Sequence, residues 1–151
     1  ILSGISSLYK ITHIESFNKS KTFAIIISII TILGEFIEFL SIESNNLFLF
    51  NEICIVFSNV MELLMFYNLF NASIEYFNNN NQWDLAYETI KKLKFYIIVS
   101  VLNIIFLNFT LVFYITFLNI IVPITLIILR IYIMKLIYRF KNMFVKELQT
   151  K

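Results

Sequence analysis

The sequence predicts an all-α protein, a polytopic transmembrane helical bundle of about four spans with an added amphipathic surface helix. Three observations predict it. Apolar runs of about 20 residues recur along the chain, turn-forming residues are almost absent, and the cations gather on one side of the layout that those runs impose.

Composition identifies the solvent. Hydrophobic residues make up 59% of the 151-residue chain and the mean hydropathy is +0.80, against about 45–50% apolar content in a water-soluble domain. With only two Gly and one Pro, a turn-rich β-barrel of short alternating strands is not an economical reading. The length holds about four spans and leaves no room for a separate soluble domain. A net charge of +2, with the cations beside apolar runs, argues against nucleic acid as a partner. The lipid bilayer is the expected one. Cys54 is the only cysteine, so no intramolecular disulfide can form.

The first apolar run covers 22–41, preceded by Lys19 and Lys21 and followed by a polar turn at 41–46. The second, 47–70, comes so soon after it that the two form an antiparallel hairpin. A polar segment at 71–94 is the expected cytoplasmic loop. Within it the Asn run at 78–81 breaks the chain, and Asn81 is expected to N-cap the next helix. Trp83, Ala86, Tyr87, Ile90, Leu93 and Ile97 then fall at helical spacing, with Asp84, Glu88, Lys91 and Lys92 off the stripe. This is a helix on the membrane surface or a solvated extension of the next span. From 95 to 138 the sequence is nearly continuously apolar, too long for one crossing at about 1.5 Å per residue. The turn falls at 108–110 or 114–119, and the second choice leaves about 20 residues on each side. It gives spans at 95–114 and 118–138.

Orientation comes from the 12 cations. Lys10, Lys19 and Lys21 precede the first span, Lys91, Lys92 and Lys94 precede the third, and Lys135, Arg139, Lys141, Lys146 and Lys151 lie at or beyond the end of the fourth. The outer connections carry Glu43 and no cation. Both ends of the sequence are therefore expected on the cytoplasmic side of a bacterial plasma membrane. The apolar segment 1–9 reads as the tail of an earlier span or as a surface helix, and no signal peptide is recognisable.

A charge within a span costs at least about 2.5 kcal/mol on insertion scales, so each polar group there calls for a partner or a role. Ser28, Thr31, Gly34, Glu35, Glu38 and Ser41 share a face of the first span, and Asn51, Glu52, Ser58, Asn59 and Glu62 share a face of the second. The two stripes are expected to face each other or the bundle interior. The third span adds Tyr96, Ser100, Asn103, Thr110 and Tyr114, and the fourth adds Asn119, Pro123 and Arg130. Counted from the outer ends, Glu62 and Arg130 lie at similar depth, roughly 18–21 Å, and form the candidate ion pair. Glu35, Asn59, Glu62, Asn103 and Arg130 make up the candidate intramembrane network. It serves either as packing glue or as part of an ion or proton path.

No catalytic, cofactor or metal motif stands out. His13 is the only histidine and lies outside the apolar runs, which leaves an intramembrane zinc site without a histidine ligand. Glu35 and Glu38 lack the adjacent second glutamate and following arginine of membrane-embedded proteases. There is no Gly-rich phosphate loop and no nucleophile elbow. An enzyme is not expected.

The segment LSGISSLYKI at 2–11, the short linker to Lys21 and the apolar run beyond it resemble uncharacterised small multi-span membrane proteins of AT-rich bacteria. The resemblance covers the first third of the chain and the hairpin plan, and implies no functional residues. The expected role is a non-enzymatic accessory, regulatory or immunity-type interaction protein, working with a larger membrane-protein partner or as a homo-oligomer. The alternative is a small channel or transporter protomer that uses the intramembrane carboxylates.

Overall fold

The computed structural model describes the backbone over residues 2–40, 45–113 and 116–149, and side chains over 2–37, 50, 53–107, 117, 120–135, 137, 138 and 140. The described residues form five helices and no strand: α1 (Leu2–Thr12), α2 (Glu15–Leu40), α3 (Asn45–Asn79), α4 (Trp83–Phe113) and α5 (Thr116–Gln149). Contacts divide the chain into two compact units, Ile1–Ile97 and Ile98–Lys151, with the boundary inside α4.

Two residues with positive φ set the corners of the first unit. His13 (φ 54°) separates α1 from α2, and its N–H donates to the Tyr9 carbonyl at 2.8 Å. Asn81 (φ 57°) ends α3. The Gln82 N–H reaches back to the Phe77 carbonyl at 2.8 Å and the Asn81 N–H to Asn78 at 3.1 Å, which is the Schellman pattern with Asn81 at the left-handed position. The expected role of Asn81 as an N-cap of α4 is therefore corrected. Asparagine tolerates the left-handed region, so it closes the preceding helix, and the Gln82 carbonyl accepts the first bond of α4 from Ala86 at 3.1 Å.

The expected loop at 71–94 is helical except at residues 80–82. Nothing between 71 and 79 breaks α3, and three of these residues, Ala72, Ser73 and Phe77, are 0–1% exposed. Burial holds the polar segment in helix against its weak propensity. The helix that begins at Trp83 runs on without interruption to Phe113 as α4. Its buried face is Ala86, Thr89, Leu93, Tyr96, Ser100 and Asn103, an alternating three- and four-residue spacing. Of the expected stripe, Ala86 and Leu93 are on this face, whereas Trp83 and Tyr87 are each 61% exposed.

In the first unit α2 packs along α3, and α1 against α2. Ser20, fully buried, donates its Oγ hydrogen to the Met65 carbonyl at 3.0 Å. Residues 20–40 and 45–65 are each about 30 Å of helix, so the two residues stand equally far from the 41–44 connection and the helices are antiparallel. Tyr96 of α4 packs edge-on to Phe66 at 5.6 Å and stacks on Phe70 at 5.8 Å between ring centroids. These rings, with Phe17 and Phe77, are the large buried side chains of the unit. They lie beyond the apolar half of the α2–α3 hairpin, at its Lys19 and Lys21 end.

In the second unit Thr125 of α5 meets Asn103 of α4 at 2.6 Å. Residues 103–113 and 116–125 are each about 14–15 Å of helix, so this pair too is equidistant from its connection. α4 is described to Phe113 and α5 from Thr116, and the centre of the expected turn at 114–119 lies outside the described residues. Val122, Leu129, Ile133 and Phe140 are the buried face of α5, and Pro123 sits exposed inside the helix.

Candidate functional site

Two stretches among the described residues, Glu15–Ile37 and Ile53–Asn79, are long and apolar enough to cross a membrane. Only 17% and 22% of their most apolar windows are buried, so neither is an enclosed core helix. In the distal part of α2, Ile29, Ile32, Leu33 and Phe36 are 51–66% exposed. In the first half of α3, Phe50, Ile53 and Phe57 are likewise exposed. An apolar surface of this extent belongs against lipid or protein rather than water.

The polar face of α2 does not turn inward. Ser28, Thr31 and Glu35 are all exposed, whereas Gly34 is buried. The two hydroxyls bond within their own helix, Ser28 to the Ala24 carbonyl at 2.9 Å and Thr31 to the Ile27 carbonyl at 2.9 Å. Asn59 of α3 does the same, donating to the Ile55 carbonyl at 2.9 Å. On α2 the exposed places of Ser28, Thr31 and Glu35 depart from a stripe turned toward the neighbouring span or the bundle interior, whereas Ser58, Asn59 and Glu62 of α3 are half-buried. The physical reason is that a short polar side chain in a helix reaches the carbonyl one turn back, which satisfies it without a neighbouring helix. Glu35 has no such option and sits among exposed Ile32, Leu33 and Phe36.

Of the remaining network residues, Glu62 is half-buried on α3 in the first unit, and Arg130 is exposed on α5 in the second. The side chains of Glu38, Asn51, Glu52, Asn108, Thr110, Tyr114 and Asn119 lie outside the described residues, as does the turn carrying Glu43.

Asn103 is 5% exposed and meets Thr125 of α5 across the helix pair. Thr125 itself is absent from the network expected from the sequence. The signal that identifies it is its place on the α5 face between Val122 and Leu129, at the same distance from the turn as Asn103. The proton count fixes the direction of this bond. The Thr125 hydroxyl has one hydrogen, but faces Asn103 Oδ1, the Val122 carbonyl at 2.9 Å and the Ile121 carbonyl at 3.1 Å, all acceptors. The buried Asn103 Nδ2 and Ser100 Oγ, meanwhile, have no partner. Turning the amide by half a rotation lets Nδ2 donate to Thr125 and frees the hydroxyl hydrogen for a backbone carbonyl.

The head of α4 carries its own charge pairs. Lys92 Nζ is 2.6 Å from Glu88 Oε1, and Lys91 Nζ stands 4.4 Å from the centroid of the Tyr87 ring. Among the described residues, no three His, Cys, Asp or Glu side chains are grouped as a metal site would require.

The described helices define the class: an all-helical protein, two of whose helices are long and apolar enough to cross a membrane. No family model matches the chain, and neither a curated protein nor a solved structure is significantly similar to it.

Proposed function

We propose that this chain is a non-enzymatic, multi-pass membrane protein of about four spans that acts by helix-to-helix contact with another membrane protein, as an accessory, regulatory or immunity-type subunit. The observation that carries this reading is the outward polar face of α2. Ser28, Thr31 and Glu35 stand exposed in the stretch 25–36, whose other exposed residues, Ile25, Ile29, Ile32, Leu33 and Phe36, are large and apolar. In lipid such a face is unfavourable, and against another helix it is the usual means of association.

Helix lengths support the four-span layout. The hydrogen bond from Ser20 to Met65 lies about 30 Å from the ends of α2 and α3 nearest their connection, one hydrocarbon thickness, and it is flanked by Lys19 and Lys21. In α4 the stretch 94–113, and in α5 the stretch 116–135, are each about 29 Å and begin or end on Lys94 and Lys135. Four helices thus reach one membrane thickness from their turns where three of them carry lysine, which supports cytoplasmic ends by the positive-inside rule. The window Ile53–Asn79 exceeds this thickness because its last turns, Leu69 to Phe77, are packed in protein.

On this layout Glu62 is within one turn, about 4.5 Å, of the Met65 level, and Arg130 is about 7.5 Å from Lys135. Both lie within a side chain's length of the inner interface on this layout. An interfacial place for each fits a role in arranging the helices better than an ion path across the membrane.

The test is copurification of the full chain from gently solubilised native membranes, with mass spectrometry of what accompanies it. A stoichiometric second membrane protein supports the reading. A homo-oligomer alone overturns it and favours a channel or transporter protomer, for which loss of flux in Glu62→Gln is the next measurement.

A further inference from the structure

α4 runs through both units as one unbroken helix, Trp83–Phe113, and in each it is packed on the same side. In the first, Leu93 and Tyr96 are buried and the Tyr96 ring meets Phe66 and Phe70 of α3. In the second, Ser100 and Asn103 are buried and Asn103 meets Thr125 of α5. At about 100° per residue, Tyr87, Lys91, Lys94, Ile98, Leu102 and Ile105 all fall within about 40° of the opposite direction. All six are exposed. α5, seated on the Asn103 side of α4, does not also close the opposite one.

Along this side the chemistry changes in the order of a lipid. Ile98, Leu102 and Ile105 form an apolar series, Lys94 and Lys91 follow, and Tyr87 and Trp83 end it. On the four-span reading Lys94 stands at the hydrocarbon boundary, about 29 Å from the far end of α4, and Lys91 lies about 4.5 Å beyond it. The headgroup layer is about 5–7 Å deep, and helical side chains lean toward the N-terminus, which for α4 is away from the hydrocarbon. Both ammonium groups therefore reach phosphate level. Lys91 Nζ is seated 4.4 Å from the centroid of the Tyr87 ring, which leaves the donors on its far side for an anion. Lys92 differs: it lies about a third of a turn off this side and is held by Glu88 at 2.6 Å. Asp84, the carboxylate on this side, stands about two turns beyond Lys91, clear of that level.

We infer that this side of α4 binds an anionic phospholipid, with its phosphate between Lys91 and Lys94 and an acyl chain along Ile98, Leu102 and Ile105. The inference rests on the four-span membrane reading. A zwitterionic lipid offers the same chains but carries a cation of its own, which the two lysines repel, so net negative charge is what this side selects. A soluble anion would leave the apolar series unused.

In the experiment, the full chain has Trp83, its only tryptophan, changed to Phe, and Ile98→Trp sets a probe beneath the lysines. It is reconstituted in vesicles of phosphatidylcholine and phosphatidylglycerol with one or the other lipid brominated on its acyl chains, and tryptophan quenching gives the relative affinity of the two lipids at that spot. The expected preference for phosphatidylglycerol is about 25-fold, falling about fivefold in Lys91→Gln or Lys94→Gln and to parity in the double variant. Lys92→Gln removes the same charge off this side and should change the preference by less than about twofold. Vesicle flotation and circular dichroism control for insertion and folding, and none of the substituted side chains is buried. Equal quenching by the two lipids, a preference that survives the double variant, or one that Lys92→Gln lowers as much overturns the inference. So does a tryptophan that neither lipid quenches in a chain that floats with the vesicles. In all these cases the membrane reading stands, whereas a chain that does not float overturns both.

Discussion

Ser20 and Met65 are joined by a 3.0 Å hydrogen bond from a hydroxyl with no exposed surface to a backbone carbonyl. It ties α2 to α3 at the level where Lys19 and Lys21 flank the helix. The second hairpin has its counterpart in Asn103 and Thr125, 22 residues apart. Each bond is equidistant from its own turn, but the first lies about 30 Å away and the second about half as far. One therefore fixes the register where the apolar stretch ends, and the other fixes it midway.

Ser20→Ala removes a hydrogen bond while keeping the space, and should cost about 0.5–1.5 kcal/mol. Ser20→Leu inserts bulk where no surface is free, and should cost about 1–3 kcal/mol or separate the helices. Reversible unfolding in mixed detergent micelles measures both, with the leucine variant expected to be clearly the worse. Equal losses would mean that the close approach of α2 and α3 at this point is not what the site contributes.

For Asn103 and Thr125, a double-mutant cycle with Thr125→Val and Asn103→Ala should give a coupling of about 0.6 kcal/mol, up to about 1.7. Each single substitution leaves a buried polar group behind, so the double variant should be less destabilised than the sum. Ser100→Ala should weaken that coupling if its hydroxyl donates to the turned amide. Strict additivity of Ser100→Ala with both would remove it from the cluster.

The left-handed residue Asn81 gives a backbone test. Asn81→Gly should leave stability unchanged or raise it slightly, because glycine adopts this φ without strain, whereas Asn81→Val should cost about 1–2 kcal/mol. Thermal unfolding of the two variants in detergent compares them directly. A valine variant as stable as the parent would show that the corner between α3 and α4 does not need the conformation seen at φ 57°.

Tyr96 makes the aromatic contacts that seat α4 on α3, with Phe66 and Phe70. Tyr96→Ala should cost about 3–5 kcal/mol and Tyr96→Phe under about 1.5 kcal/mol. Limited proteolysis at the 80–82 connection should speed up in the alanine variant alone.

The topology has a direct check, because Cys54 is the sole cysteine. In a Cys54→Ser background, single cysteines at Glu43 and at Asn80 should label oppositely with a membrane-impermeant maleimide on intact cells. Residue 43 should react and residue 80 should not. The reverse pattern would invert the orientation, and labelling of both would remove the hairpin from the membrane.

Much of the backbone was legible in the sequence. Long apolar runs with almost no Gly or Pro leave helix as the way to satisfy the backbone, and the turn residues at 78–81 mark where α3 stops. The cation pattern gives an orientation from charge alone. Less legible was the segment at 71–79, where asparagine, serine and glutamate argue locally for a loop. Contacts made by Ala72, Ser73 and Phe77 with the rest of the unit outweigh that preference.

The helical class was readable before any packing was known, because it depends on local composition: long apolar runs with almost no Gly or Pro. Which polar groups meet was a matter for packing. Helices that are apolar nearly all round have no strong periodicity to say which side faces a neighbour, so the inward place of Asn103 and the outward place of Glu35 could not be read from spacing. Hydroxyls that bond one turn back along their own helix make the inference harder, since they satisfy themselves on either side. The Ser20 bond to Met65 sets the rotation of α2 against α3, and the rings that meet Tyr96 set that of α4 against α3.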